Sequence, residues 1–198
     1  MEGPHFVIDF GLWSYHTARE KKLLLKQVRL SISEIRKTCS DEQLTLSSVP
    51  EELYGDFSEM NFTGKIMRTK FQGPTAVLLD PHATEVLEKV DPTVTYILGG
   101  IVDKSRQIKT KSLWYDVPRK KIEFAKSTVG VPDRINLLIK ILCESSRGIP
   151  LEKAVLVNMP RREKSERANM EASRGKDVSE IGTLLELSPQ EVKALIRQ

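Results

Sequence analysis

Carboxylates and glycines follow several short apolar runs that are typical of buried strands. The first run, His5–Asp9, and the third, residues 75–80, each end in an aspartate. The fourth run, residues 94–99, continues through Gly100 to Asp103. Ligands of open parallel sheets bind beyond the carboxyl ends of the strands, and paired glycines allow the backbone to approach a ligand closely. The pattern therefore indicates a ligand-binding edge, although a Gly-Gly pair after a strand is more often only a turn.

The elements that must position these residues alternate between strand and helix patterns. Strands are predicted over residues 5–9, 43–49, 75–80, 94–99, 112–117 and 154–159. Helices are predicted over residues 17–37, 83–90, 178–187 and 189–197, and in a segment entered at Pro132. This alternation favours an α/β fold with a mostly parallel sheet flanked by helices.

The first predicted helix has an apolar stripe and a basic face. The stripe recurs at helical spacing and consists of Leu24, Val28, Ile32 and Ile35. The opposite face carries Lys22, Lys26 and Arg29. We expect the stripe to be buried and the basic face to be exposed.

Composition excludes some classes of protein and permits others. The chain has 198 residues, a net charge of +4 and a pI near 9.0, which permits a polyanionic partner without requiring one. Cys39 and Cys143 lack a CxxC neighbour, and the three histidines lack metal-ligand spacing, so no metal site is expected. Without a signal peptide or a long apolar run, we expect a soluble cytoplasmic protein with no membrane partner.

The residue composition changes near residue 160, which suggests that the chain has two parts. Residues 160–176 contain six basic residues against three acidic ones and few apolar positions. We expect a domain over residues 1–159, then a basic linker and a short helical tail over 160–198. The last helix has capping-box spacing at Ser188 and Glu191.

Residues 96–104, Tyr-Ile-Leu-Gly-Gly-Ile-Val-Asp-Lys, resemble the most recognisable motif of the tRNA position-9 purine N1-methyltransferases. This family is a branch of the SPOUT superfamily. Further segments resemble the family in the same order, namely residues 7–9, 43–48, 76–80, 85–87, 117–119 and 127–134, the last in an archaeal-looking version. The resemblance covers residues 5–158.

The resemblance implies a C-terminal trefoil knot and S-adenosyl-L-methionine bent into a pocket of three loops, with S-adenosyl-L-homocysteine as its product. Those loops correspond to residues 98–103, 115–119 and 128–133. The implied cofactor-binding residues are Leu98, Gly99, Gly100, Val102, Asp103, Val117, Val129, Gly130, Val131 and Ile135. The family resemblance also favours a monomer.

By the same resemblance, Asp103 is the first candidate for catalysis, with Asp9 and Asp133 as companions. Guanine N1 must lose a proton when it is methylated, so a carboxylate can act as a general base. Adenine N1 is already a lone pair, and a carboxylate would instead stabilise the cationic product. The choice between adenine and guanine as the methylated base therefore stays open. In structural terms alone, Asp9 can simply end a strand and Asp133 can favour the first turn of a helix.

Basic residues suggest how tRNA phosphates would be contacted. The candidates are Lys22, Lys26, Arg29, Arg119, Lys120, Lys121, Arg161 and Arg162, although exposed cations are usually just solvated. For Trp13 and Trp114, packing is expected rather than stacking on bases.

Two other functional classes stay open at this point. Residues 178–196 resemble the helix–turn–helix units of sigma-type and response-regulator proteins, which would make the chain a DNA-binding regulator. The third possibility is a knotted cofactor-binding protein without activity.

Overall fold

The computed structural model describes residues 3–38, 40–102 and 112–196. Its centre is a seven-stranded sheet in which every pairing is parallel, with the order β3-β2-β1-β6-β4-β7-β5. The strands are β1 (His5–Asp9), β2 (Leu44–Ser47), β3 (Lys65–Ile66), β4 (Ala76–Leu79), β5 (Glu85–Val86), β6 (Thr95–Gly99) and β7 (Arg119–Lys121). The predicted mostly parallel α/β sheet is confirmed.

Both faces of the interior strand β1 are buried, which explains the apolar run of residues 6–8 within it. Phe6 and Ile8 belong to a large apolar cluster on one face, while Val7 belongs to a smaller cluster on the other. Strand β1 pairs with β2 at Phe6–Leu44 and with β6 at Phe6–Tyr96. These registers bring the carboxyl ends of β1, β2 and β6 to one edge of the sheet.

Helices cover the sheet and continue beyond it. They are α1 (Ala18–Thr38), α2 (Tyr54–Glu59), α3 (Ile135–Ser146), α4 (Leu151–Asn158), α5 (Arg161–Ser173), α6 (Val178–Leu185) and α7 (Pro189–Ile196). The predicted stripe of α1 is buried, and α1 packs against α3. Thr17 and Glu20 form a reciprocal capping box at the start of α1. The capping box at Ser188 and Glu191 is also present.

Three predicted elements are wrong. Residues 154–159 lie mostly in helix α4, because a short apolar run fits a buried helix as well as a strand. Residues 83–90 do not form a helix, since Glu85–Val86 pairs with β7 as strand β5. Residues 112–117 precede the strand, and the ladder begins only at Arg119, where the backbone aligns with β4.

The predicted linker is wrong as a description of residues 160–176, because most of this stretch is helix α5. Its inward face is polar and consists of Glu163, Arg167 and Glu171, together with Ala168. Charged residues at four-residue spacing suggest a solvated helix, but here they are buried. The division into domains at residue 160 stays a prediction.

Two further points concern the knot and the membrane. The trefoil knot stays a prediction, since the chain between residues 102 and 112 lies outside the described residues. Among the helices of the described ranges, none combines the length and apolar character needed to cross a bilayer.

Candidate active site

A cavity of about 600 Å³ lies at the carboxyl ends of β4, β6 and β7. The chain between residues 128 and 138, which leads into α3, forms the rest of its lining. The apolar part of the lining consists of Leu79, Leu98, Ile101, Ile122, Val131, Ile135 and Leu138. The charged part consists of Asp80, Lys120, Lys121 and Asp133. Cavities of about 300–1,000 Å³ are typical of small-molecule sites.

This lining combines two kinds of binding surface. Leucine, isoleucine and valine side chains suit a flat heterocycle, while a carboxylate suits an ammonium group and a lysine suits a carboxylate. The cavity therefore offers contacts both for a ring and for a zwitterionic group.

Arg119 organises one wall of the cavity. Its Nη1 donates to Asp80 Oδ2 at 3.0 Å, and its Nη2 donates to the Leu113 carbonyl at 2.8 Å. Asp80 Oδ1 also accepts from the His82 backbone N–H at 3.0 Å. We expected Arg119 to contact RNA, but its guanidinium is already bound to the protein at two points.

The Gly99-Gly100 turn joins the cavity to the end of β1. Gly99 belongs to the cavity lining, and the Gly100 N–H donates to the Asp9 carbonyl at 2.7 Å. A Cβ atom on Gly100 would lie 2.6 Å from that same carbonyl oxygen. The close approach of two backbones therefore requires glycine at position 100.

The Asp9 carboxylate lies in a buried polar cluster beside this turn, with 1% of the residue exposed. Its Oδ1 accepts from the Gly11 N–H at 2.6 Å. Its Oδ2 accepts from the hydroxyls of Ser47 and Ser48, both at 3.4 Å, and from the Tyr115 hydroxyl. Both oxygens are therefore hydrogen-bonded within the protein, which offsets the cost of burying this side chain.

Tyr115 covers the cluster. Burial raises the pKa of its phenol well above the usual value, and the hydrogen bond to Asp9 raises this pKa further. Lys70 Nζ lies 4.2 Å from the centre of the Tyr115 ring. The phenol therefore stays protonated and acts as a donor to Asp9.

His16 holds the chain beyond the glycine turn. The Val102 N–H donates to His16 Nε2 at 3.0 Å, and His16 Nδ1 lies 3.0 Å from the Leu12 carbonyl. Nδ1 must therefore carry the proton of the imidazole. Val102 directly precedes Asp103, which lies outside the described residues.

The predicted cofactor-binding residues of the described ranges occupy four places. Leu98, Gly99, Val131 and Ile135 line the cavity, whereas Gly100 and Val102 lie in the adjoining turn. Val117 instead packs on the smaller apolar cluster. Val129 and Gly130 lie against α5, outside the cavity lining. Of the predicted carboxylates, Asp133 is exposed and lines the cavity, while Asp9 belongs to the neighbouring cluster.

The predicted RNA-binding cations are also spread over several surfaces. Lys22, Lys26 and Arg29 are exposed on α1, and Arg161 and Arg162 are exposed at the start of α5. Arg162 Nε pairs with Glu166 at 2.9 Å. Lys120 and Lys121 lie in the cavity lining, and Lys121 Nζ is 2.9 Å from Glu123.

The two tryptophans have different surroundings. Trp13 is buried, and its indole N–H donates to Glu52 at 2.6 Å. Trp114 is 84% exposed, so the expected packing role holds only for Trp13.

Sequence reasoning did not anticipate the roles of His16, Ser47, Ser48 and Tyr115. The two serines carried a usable signal, since they lie at the carboxyl end of β2, which neighbours β1, and donors there can reach Asp9. The described ranges contain no group of His, Cys, Asp and Glu side chains arranged to hold a metal ion.

The sheet and site define an α/β protein with a cavity of small-molecule size at the carboxyl edge of its parallel strands. The family model described as tRNA (guanine(9)-N(1))-methyltransferase TRM10/TRM10A matches residues 1–123, the larger part of the chain, and the chain belongs to this family.

Two curated relatives carry related names. The tRNA (guanine(9)-/adenine(9)-N1)-methyltransferase of Thermococcus kodakarensis is 35% identical over 77% of this chain and 46% of its own length. The tRNA (adenine(9)-N1)-methyltransferase of Sulfolobus acidocaldarius is 34% identical over 71% of this chain and 49% of its own length. The chain thus spans about half the length of these relatives.

A solved structure extends the similarity to the C-terminal helices. The crystal structure of Sulfolobus acidocaldarius Trm10 in complex with S-adenosylhomocysteine superposes with a TM-score of 0.79 at 25% identity. The match covers 98% of this chain and 67% of that one. Helices α5–α7 therefore belong to the shared fold.

The raised pKa of Tyr115 predicts how stability changes in alkali. Above the ordinary tyrosine pKa of 10.0 the unfolded chain releases this proton, while the folded chain retains it. The free energy of unfolding should therefore fall as the pH rises from 9 to 11, and fall less steeply in Tyr115→Phe. Urea unfolding across this range measures both slopes. Burial also raises the pKa of Tyr96, and this residue is present in both the wild type and Tyr115→Phe. Equal slopes would contradict the assignment.

Proposed function

We propose that this chain transfers a methyl group from S-adenosyl-L-methionine to N1 of the purine at position 9 of tRNA. The observation that carries the proposal is the cavity at the carboxyl edge, joined to the Asp9 cluster by the Gly99-Gly100 turn. Family membership supports the reaction, and the names of both curated relatives specify this position and this atom.

The residues of the cavity fit the proposed methyl donor. Leu98, Val131 and Ile135 would flank the adenine, and Asp133 and Lys120 are suited to the ammonium and carboxylate of the methionine part. When bound, S-adenosyl-L-methionine supplies an electrophilic methyl group on a sulfonium. The complex of the Sulfolobus acidocaldarius protein with S-adenosylhomocysteine supports this choice of ligand.

The surroundings of the carboxylates suggest a division of roles. Asp9 is buried, and both of its carboxylate oxygens already accept hydrogen bonds from the protein. We therefore assign its carboxylate to holding the backbone at Gly11 and the Tyr115 side chain in place. Asp103 follows the turn in the sequence and is our candidate for the chemical step at the purine. It would accept the N1 proton of guanine, or stabilise the charge that forms on adenine.

Two surfaces are suited to the tRNA. The exposed basic face of α1, formed by Lys22, Lys26 and Arg29, would follow the phosphates. Trp114 adjoins Tyr115 in sequence and offers an exposed aromatic surface for an unpaired base. The identity of the purine at position 9 stays open, because the names of the relatives include both adenine and guanine.

The DNA-binding alternative has no support from the comparisons. Ile181 and Leu185 of α6 and Val192 of α7 join the same apolar cluster as the sheet, so these helices have a packing role. A monomeric state and a cytoplasmic location stay predictions.

Methyl transfer to two unmodified tRNAs tests the proposal directly. The tRNAs are identical except for adenosine or guanosine at position 9, and the donor carries a radiolabelled methyl group. We expect label in N1-methyladenosine, N1-methylguanosine or both, identified by nucleoside analysis. Absence of label from both tRNAs, in a preparation that binds S-adenosylhomocysteine, would favour a cofactor-binding protein without this activity.

Asp103→Asn separates chemistry from binding in the same assay. A general base contributes about 10²–10⁴-fold, so methyl transfer should fall by roughly that factor on guanosine while cofactor affinity changes little. Equal losses in transfer and affinity would mean that Asp103 shapes the pocket.

Salt dependence tests the basic face of α1. Each phosphate contact that is removed lowers the slope of log K against log[salt] by about 1. The triple variant Lys22→Ala, Lys26→Ala and Arg29→Ala should therefore lower the slope by about 3 in filter-binding titrations with tRNA. Lys153→Ala is the matched control, because Lys153 already pairs with Glu186 at 2.6 Å. An unchanged slope in the triple variant would place the tRNA elsewhere.

A further inference from the structure

Arg167 of helix α5 is a fully buried arginine outside the site described above, with none of its surface exposed. Its Nη1 donates to the carbonyls of Phe124 and Val129 at 2.6 and 3.1 Å. Its Nη2 donates to the Ala125 carbonyl at 3.0 Å. One guanidinium therefore binds both ends of the loop 124–129, which belongs to the chain between β7 and α3.

This loop has a backbone that needs support. Ala125 and Lys126 have φ angles of 46° and 60°, in the left-handed region that non-glycine residues rarely adopt. Phe124 and Ser127 exchange backbone hydrogen bonds of 2.8 and 3.2 Å across this tight turn. A conformation of this kind persists only when its surroundings hold it. Arg167 supplies such contacts on three carbonyls.

The supported loop adjoins the cavity, since its residue Thr128 belongs to the lining. Gly130 has a φ of 88°, and a Cβ atom there would lie 2.9 Å from the Cβ of Arg167. The next residues, Val131, Pro132 and Asp133, line the cavity. The position of Arg167 therefore sets where the chain enters the cavity wall.

The charge of Arg167 is balanced within the C-terminal helices. Glu171 Oε1 lies 2.6 Å from Arg167 Nη2, and Lys176 Nζ lies 2.8 Å from Glu171 Oε2. Burial alone would raise the pKa of Glu171, but Lys176 and Arg167 outweigh burial and lower it. The ionised carboxylate keeps the guanidinium aligned with the carbonyls. Lysine could replace the charge but not the planar fork of donors.

We propose that Arg167 is a positioning residue for the cofactor: it fixes the loop 124–130 so that residues 131–135 form the wall of the cavity. Helix α5 thereby supports the binding site and is not part of an independent appendage. This inference rests on the proposed function, because it takes S-adenosyl-L-methionine as the ligand of the cavity.

Calorimetric titration with S-adenosylhomocysteine tests the proposal on the full chain. Arg167→Lys keeps the charge beside Glu171 but cannot bind three carbonyls in the same geometry. We expect its Kd to rise at least tenfold. The matched control is Val192→Ala, which opens a gap in α7 near Gly182 and loosens the same helices without touching the loop. Its Kd should stay within twofold of the wild-type value at a similar loss of Tm.

Hydrogen exchange of the backbone amides 125–131 in the ligand-free protein provides the second readout. Faster exchange in Arg167→Lys than in Val192→Ala supports the proposal even if S-adenosylhomocysteine does not bind the wild-type chain, a result that would count against the proposed function alone. If Arg167→Lys shows the exchange rates and the affinity of the wild type, the role proposed for Arg167 is overturned. If that variant does not fold, Gly130→Ala tests the same contact from the loop side, and unchanged affinity and exchange there would equally overturn the proposal.

Discussion

The contact between the Gly100 N–H and the Asp9 carbonyl is the constraint on which the site depends. It brings two parallel strands so close at their carboxyl ends that no side chain fits at position 100. The same turn continues into the cavity through Gly99 and toward His16 through Val102. The cavity and the buried carboxylate cluster therefore share one short piece of backbone, and a shift of either strand would disturb both.

Two arginines in this protein hold the backbone in place beside the cavity. Arg119 ties the end of β4 to the Leu113 carbonyl, and Arg167 ties the loop before α3 to helix α5. Each guanidinium is paired with a carboxylate that is almost completely buried, Asp80 in one case and Glu171 in the other. Arginine suits this work because its planar fork can bind several acceptors at fixed angles. Two ion pairs thus fix the cavity wall, one at the end of β4 and one in helix α5.

The central strands were predictable from the sequence because burial on both faces leaves an apolar run, as in β1 and β6. Strand β7 was not, since Arg119–Lys121 is entirely basic and becomes a strand only through pairing with β4 and β5. Within the site, family resemblance indicated Leu98 and Ile135, which line the cavity. The contact between Tyr115 and Asp9 joins residues 106 positions apart, and no local pattern reports such a contact. Arg167 was missed for another reason, because the basic stretch 160–176 indicated a solvated linker and not a helix with a buried face.

A crystal structure of the chain grown with S-adenosylhomocysteine tests the central claim most directly. The account predicts the ligand inside the cavity at the ends of β4, β6 and β7, in contact with Leu98, Val131 and Ile135, with the Gly100–Asp9 hydrogen bond retained. A ligand bound elsewhere, or a cavity that stays closed to it at saturating concentration, would contradict the assignment of this edge as the methyl-donor site.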